Sequence, residues 1–232
     1  MALKDSYQTG EQFGVLPGFF DLSYRILHKL LDFQLLDGIT LSAGDISLKF
    51  ITLPSGFTIS FMDQNTLKAF SIIEPVELSS AFLKAALQRG DRCVGVMANG
   101  SLVSFGWYST TSTSVTTGLA LRFDPGYVYM YKGYTVPEYR GKQLHAYGMA
   151  YAVNYFSAQG YKGLISYVEA NNFRSIQSCK RLGYKRFGRL LAFRVLGQQF
   201  SFSSKGCKQH GFRLEHQRVN IREETALPQT VK

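Results

Sequence analysis

Cysteine is scarce. Cys93, Cys179 and Cys207 are the only three in 232 residues, and their wide spacing does not suggest a disulfide framework. Free thiols in a cytoplasmic protein are therefore expected. No apolar run approaches the roughly 20 residues that cross a bilayer, and the opening MALKDSYQTGEQFG lacks the apolar segment of a secretory leader. Internal repeats and long low-complexity tracts are missing too, which excludes a solenoid. Acidic residues thin out beyond residue 137. Residues 1–137 hold 10 Lys+Arg against 11 Asp+Glu, a balance of −1, whereas residues 138–190 hold 9 against 2, or +7, and residues 191–232 hold 7 against 3, or +4. A local positive field suits an acidic ligand or partner: a polyphosphate cofactor, an acidic carrier protein or nucleic acid. The plainer reading is a solvated basic surface.

What is present is a succession of helix and strand patterns. Leu22, Ile26, Leu30 and Phe33 fall on one helical face, so residues from about 21 to 36 are expected to form a helix packed on the core. Residues 46–52 and 57–62 carry strand patterns around Pro54-Ser55-Gly56, and helices are expected over 63–70 and 77–88. CVGVMANGSLVSFGWYS, with Asn99-Gly100 at its centre, is a strong hairpin signal. The Ser/Thr-rich run 109–117 is expected to be an exposed loop. Residues 126–136 form a long aromatic strand in which Gly133 signals a bulge or a close approach of a ligand. Helix 141–158, strand 164–168 and helix 172–182 follow, the last closed by Gly183 at a left-handed cap position. The run VLGQQFSFSS suggests further strands, and the stretch from about Arg218 is polar. This order implies a mixed sheet with helices on its faces.

Two segments carry chemistry. Tyr139-Arg140-Gly141-Lys142-Gln143-Leu144-His145 leads from a strand into a helix, whose first amides lack internal partners and face the positive end of the helix dipole, a device for holding phosphate. A basic surface turn has the same composition. In the second segment, Asn172 is followed by Ser175 at +3, Cys179 at +7, Gly183 at +11 and Tyr184 at +12.

Together these segments resemble the GNAT superfamily of acyl-CoA-dependent N-acyltransferases, whose members carry an Arg/Gln-x-x-Gly-x-Gly/Ala turn and, later, Asn, a small residue at +3, often Tyr at +7, and Gly-Phe at +11 and +12. The hairpin around Asn99-Gly100 looks like the family's second and third strands. The resemblance covers about residues 57–190. It implies an α/β fold with a mixed twisted sheet flanked by helices, arranged as an N-terminal extension over 1–50 with one amphipathic helix, an acyltransferase domain over 51–204 and a polar basic tail over 205–232. It implies acetyl-CoA or another acyl-CoA as co-substrate, without a metal, and transfer to a primary amine by direct attack. Pantetheine would lie along Tyr134, Thr135 and Val136, the pyrophosphate on Arg140, Gly141, Lys142, Gln143, Leu144 and His145, with Asn172 and Ser175 contributing to the cofactor site.

The sequence departs from the pattern at three places. Gln143 and His145 stand where the family has small residues, and Cys179 stands where many members have the Tyr thought to protonate the leaving thiolate. A Cys thiol titrates near 8.5 and a Tyr near 10, so Cys179 is a candidate acid; its plainer role is a small packing residue. Glu169, at a strand end beside the groove, is the first candidate for the base. Glu138, Tyr129, Tyr131, His145 and water are alternatives. Cys207-x-x-His210 with His216 is incomplete for structural zinc, which takes four ligands. A long-chain acyl donor on acyl carrier protein and a non-catalytic binding module remain open, while the absence of a recognised nucleic-acid motif counts against nucleic acid. The acceptor amine is unidentified.

Overall fold

The computed structural model describes residues 2–116 and 119–216. The polar stretch from about Arg218 lies outside the described residues. Helices α1 (Ala2–Phe13) and α2 (Val15–Leu31) come first, followed by strand β1 (Gln34–Leu41). Then come β2 (Phe57–Phe61), α3 (Gln64–Ile73), α4 (Ser80–Gln88), β3 (Arg92–Ala98), β4 (Ser101–Ser109), β5 (Thr113–Thr116), β6 (Leu119–Arg122) and β7 (Tyr127–Thr135). The chain continues through α5 (Leu144–Ala158), β8 (Gly163–Glu169), α6 (Phe173–Leu182), β9 (Lys185–Val195), β10 (Gln198–Ser203), α7 (Lys205–Gln209) and β11 (Arg213–His216).

Eight strands form one sheet in the order β10-β9-β1-β8-β7-β4-β3-β2, and β11-β6-β5 form a second, small one. The β7–β8 pair is parallel and its neighbours are antiparallel. Strand alternation sorts the side chains: Val128, Leu164 and Val168 face α5, while Tyr129, Ile165 and Tyr167 face the small sheet. Helices α3 and α4 cover Phe105, Trp107 and Tyr134 at the other end of that second face. Asp63 and Ser79 start α3 and α4 as side-chain caps, with acceptor bonds from Thr66 and Phe82 amides.

Several expectations change. The helix expected to about residue 36 stops at Leu31, because Asp32 turns left-handed at φ 50°, and residues 34–41 enter the sheet as β1 between β8 and β9. Its expected core face is exposed instead: Ile26 and Leu30 are 51% and 72% accessible, while Gly18, Asp21 and Tyr24 are buried. The strand expected over 46–52 holds instead a single 3-10 turn at Leu48–Phe50, with Phe50 N–H bonded to the Ser47 carbonyl, so that the apolar run lies across α5 with Phe50 against Tyr147. In the Ser/Thr-rich run, Thr113–Thr116 pairs with β6, and Ser109 and Thr113 are buried. The hydroxyls find carbonyls there, as Ser112 Oγ does on Leu121 O at 2.8 Å.

Candidate active site

Strands β7 and β8 pair only at Tyr127–Gly163, Val128–Leu164 and Tyr129–Ile165. Beyond Tyr129 the pairing ends, although β7 runs on to Thr135 and β8 to Glu169. Ser166 Oγ donates to Met130 O at 2.7 Å at the parting point and takes over the partner that the ladder no longer supplies. On its other side, β7 still pairs with β4, but the register shifts between Lys132 opposite Trp107 and Met130 opposite Tyr108. Tyr131 is the extra residue, a β-bulge next to the parting, where bulges re-aim side chains. Near the strand end, Tyr134 O accepts from Ser104 Oγ and Val136 N donates to Val103 O, both toward β4. Alternation turns the Thr135 backbone to the open edge, where its carbonyl accepts from Arg140 Nε at 3.1 Å.

The opening leads to the turn before α5. Pro137–Tyr139 makes one 3-10 turn, Gly141 sits at φ 82°, and Gln143 caps the helix at φ 61°. The helix expected from residue 141 therefore begins at Leu144. Ala146 N–H is the first amide to bond back, to Gln143 O at 2.9 Å, so the amides of Gln143, Leu144 and His145 have no partner among the described residues. A Cβ on Gly141 would meet nothing within 4 Å, so the backbone there is open to a ligand. Lys142 places its Nζ 4.9 Å from the Tyr139 ring. His145 points the other way. Its ring lies over the facing glycines of the β4–β7 pair, Gly106 and Gly133, where a Cβ on Gly133 would overlap it. There it bonds the Phe105 backbone, and burial pulls its pKa down to about 4 against the weaker opposing effect of that bond. Gly133 thus makes room for a histidine.

At the far side of the opening, Asn172 caps α6: its Oδ1 accepts from Ser175 N at 3.1 Å. Gly183 closes the same helix at φ 120°. Asn171 Nδ2 reaches Asp21 Oδ1 at 2.8 Å, and Phe13 and Phe20 contact the Phe173 ring at 5.6 and 6.2 Å. The N-terminal helices are thereby fastened to the loop between β8 and α6. A separate hollow of about 480 Å³ lies on the outer side of α5, among Phe50, Ile59, Tyr147 and Tyr151, and contains none of the expected site residues.

The sequence model of the GNAT acetyltransferase family matches residues 60–184, more than half of the chain. The chain belongs to the GNAT acetyltransferase family. A search among curated proteins finds no match. Among solved structures, a GCN5-related N-acetyltransferase-like protein from Streptococcus suis superposes with a TM-score of 0.50 at 16% identity, over 76% of this chain and 67% of that one. A Drosophila protein gives 0.49 at 16% identity, over 80% of this chain and 59% of its own length. The aminoglycoside N-acetyltransferase AAC(6')-Iy, solved in complex with CoA, gives 0.43 at 16% identity, over 58% of this chain and 93% of that one. The likeness to the Streptococcus suis protein is one of fold.

Within this GNAT fold, the opening brings Tyr134, Thr135 and Val136 to the α5 start. Two expected chemical residues have other surroundings. Cys179 packs with Ile176 against the core beneath α5, and burial pushes its thiol up to about 12. Glu169 ends β8 facing α2; burial raises its pKa, opposed by the charges of His28 and Arg25. Cys207 is buried with Leu190 and Phe212, and His210 stacks on Phe187 at 4.2 Å. Among the described residues no group of three or more His, Cys, Asp or Glu is placed to hold a metal. Sequence reasoning missed Ser166 and Asp91, whose hydroxyl and carboxylate bond Met130 and Tyr131. Gly133 marked the place and Tyr131 stood among the candidate bases, but neither pointed to Ser166 or Asp91.

Proposed function

We propose that the protein transfers an acyl group, most simply acetyl, from acyl-CoA to a primary amine by direct attack on the thioester. The parting of β7 from β8 in front of the unpartnered amides of Gln143, Leu144 and His145 carries this reading. Pantetheine lies along the open backbone edge at Thr135, flanked by Tyr134 and Val136. The pyrophosphate sits on the α5 amides, with Arg140, Gly141 and Lys142 around it, where the helix dipole favours negative charge. Asn172 and Ser175 border the pantetheine arm from α6. A backbone N–H of the unpaired half of β7 stabilises the oxyanion as the amine adds. Gln143 and His145 are compatible with this placement, since the first contributes its amide and the second turns its ring into the sheet.

Calorimetric titration with acetyl-CoA tests the reading. Micromolar binding is expected, weakened about tenfold by Arg140→Ala through loss of one charged contact. Thiol release from acetyl-CoA in the presence of primary amines then reports transfer. Absence of acetyl-CoA binding would sink the proposal.

A further inference from the structure

Beside the opening lies a hydrogen-bonded pair that the binding of CoA does not use. Tyr131, the bulged residue of β7, donates its phenolic O–H to Asp91 Oδ2 at 2.8 Å. Asp91 stands just past α4, at the start of β3, and only 5% of it is accessible. Arg89 holds the same Oδ2 through Nη2 at 2.8 Å and Nε at 3.1 Å. The other carboxylate oxygen, Oδ1, is buried and has no partner among the described residues. That oxygen leaves hydrogen-bond acceptor capacity unused in a buried carboxylate.

The position of Tyr131 separates it from the other candidates. Tyr129 lies in the paired part of β7 and is 2% accessible. Glu169 lies at the end of β8 and faces His28 and Arg25 of α2. Cys179 is packed against the core below α5. Tyr131 alone of these combines the unpaired stretch of β7, a half-buried phenol and a carboxylate directly behind it. Its surroundings are Asp91 and Arg89 beyond α4, the Phe82 ring of α4 at 6.1 Å and the Tyr129 ring at 5.8 Å. Lys132 follows on β7, with Nζ 5.3 Å from the same Phe82 ring and the Glu77 charge nearby. Burial, reinforced by the Asp91 charge, holds the phenol well above its ordinary pKa. A free phenolate is thus disfavoured, and a proton taken up by the oxygen requires another to leave.

We propose that Tyr131 is the catalytic proton acceptor and that Asp91 acts through it as the positioning and receiving carboxylate. This inference rests on the acyltransfer reading. As the amine nitrogen forms its bond to the thioester carbon, its proton passes to Tyr131 Oη and the phenolic proton passes to Asp91 Oδ2. The C–S bond breaks with its electron pair on the CoA thiolate, which takes a proton from solvent. Asp91 returns its proton to solvent after the products leave, so the balance is one amide and one thiol from one amine and one thioester.

The test measures thiol release from acetyl-CoA across pH 6–10 with three probes: an aminoglycoside, a polyamine and an amino acid ester. Acetyl-CoA binding is followed by calorimetry. Tyr131→Phe keeps the ring packing and should leave acetyl-CoA affinity within twofold while lowering the rate about 100-fold. Asp91→Asn keeps an acceptor for Tyr131 but cannot receive the proton. It should lower the rate similarly while leaving acetyl-CoA affinity within twofold, a loss in turnover that a merely structural role would not confine to the rate. The double variant should be no slower than either single one. A Tyr131→Phe rate within threefold of wild type overturns the relay and leaves acyl transfer standing. Acetyl-CoA binding without thiol release from the wild type on any probe overturns both.

Discussion

Gln143 holds a left-handed backbone, φ 61°, at the turn that the cofactor reading needs most. An L-residue with a Cβ costs about 1–2 kcal/mol there relative to the right-handed region, whereas glycine enters it freely. Gln143→Gly should therefore stabilise the fold by about 1 kcal/mol, the glycine's greater unfolded-state entropy offsetting part of the gain. The check is a higher urea midpoint at unchanged slope; a lower midpoint would mean that the Gln143 side chain does more than occupy the turn. His145, two residues on, sets a pH dependence. Its folded pKa of about 4 lies below the unfolded value of 6.5, so between those values the unfolded chain binds the extra proton. Stability is then full above pH 6.5 and falls as pH drops toward 4, by about 3 kcal/mol from this group. Urea unfolding at pH 7 and pH 4.5 should show a smaller difference for His145→Gln than for wild type, carboxylates contributing equally to both. An unchanged difference would mean that the ring is not held neutral over Gly106 and Gly133.

Helix α2 docks by its polar side. Asp21, 1% accessible, accepts from Ser6 Oγ at 2.7 Å, Arg25 Nε at 2.9 Å and Asn171 Nδ2 at 2.8 Å, so one carboxylate ties α1, α2 and the β8–α6 loop together. Asp21→Ala leaves those donors without their acceptor and should cost roughly 3 kcal/mol. Hydrogen exchange should show α1 and α2 losing protection while α5 keeps it; unchanged exchange in α1 would assign their docking to Phe13, Phe20 and Phe173. Leu22, Ile26 and Leu30 have helical spacing, so the element was legible, but spacing cannot say which face is buried when a carboxylate finds three donors inside. β1 was hidden for a related reason: the apolar pattern runs on past Leu31, and only the left-handed Asp32 breaks it. The β3–β4 hairpin was legible because Asn99 and Gly100 adopt the positive φ values, 49° and 77°, that this turn demands. The site was half legible. Arg140, Gly141 and Asn172 announce themselves by type, whereas the parting of β7 from β8 and the Tyr131–Asp91 pair arise from register between segments 40 residues apart.

Across the whole molecule, folding redistributes the charge that the sequence concentrates in residues 138–190. Lys162 is paired with Asp124 at 2.6 Å, Lys185 with Asp45, and Arg186 and Arg189 with Asp37, all carboxylates from the first 137 residues. Arg140, Lys142, Arg174, Lys180 and Arg181 have no carboxylate partner among the described residues. Arg140 and Lys142 lie in the turn before α5, and the other three lie on α6. The free positive charge is thus narrower than the count implies, and Arg140 and Lys142 bring part of it to the turn before α5. Exposed cations attract a phosphate-bearing ligand over about one Debye length, about 10 Å at 0.1 M salt and 3 Å at 1 M. Acetyl-CoA affinity should therefore fall about tenfold between 0.05 M and 0.5 M salt. Acetyl-pantetheine, which keeps the thioester and lacks the phosphates, should bind more weakly and change less than twofold over the same range. Calorimetric titrations of both ligands at the two salt concentrations decide the matter. Equal salt sensitivity for the two would detach these five cations from the phosphates and assign them to a different acidic partner.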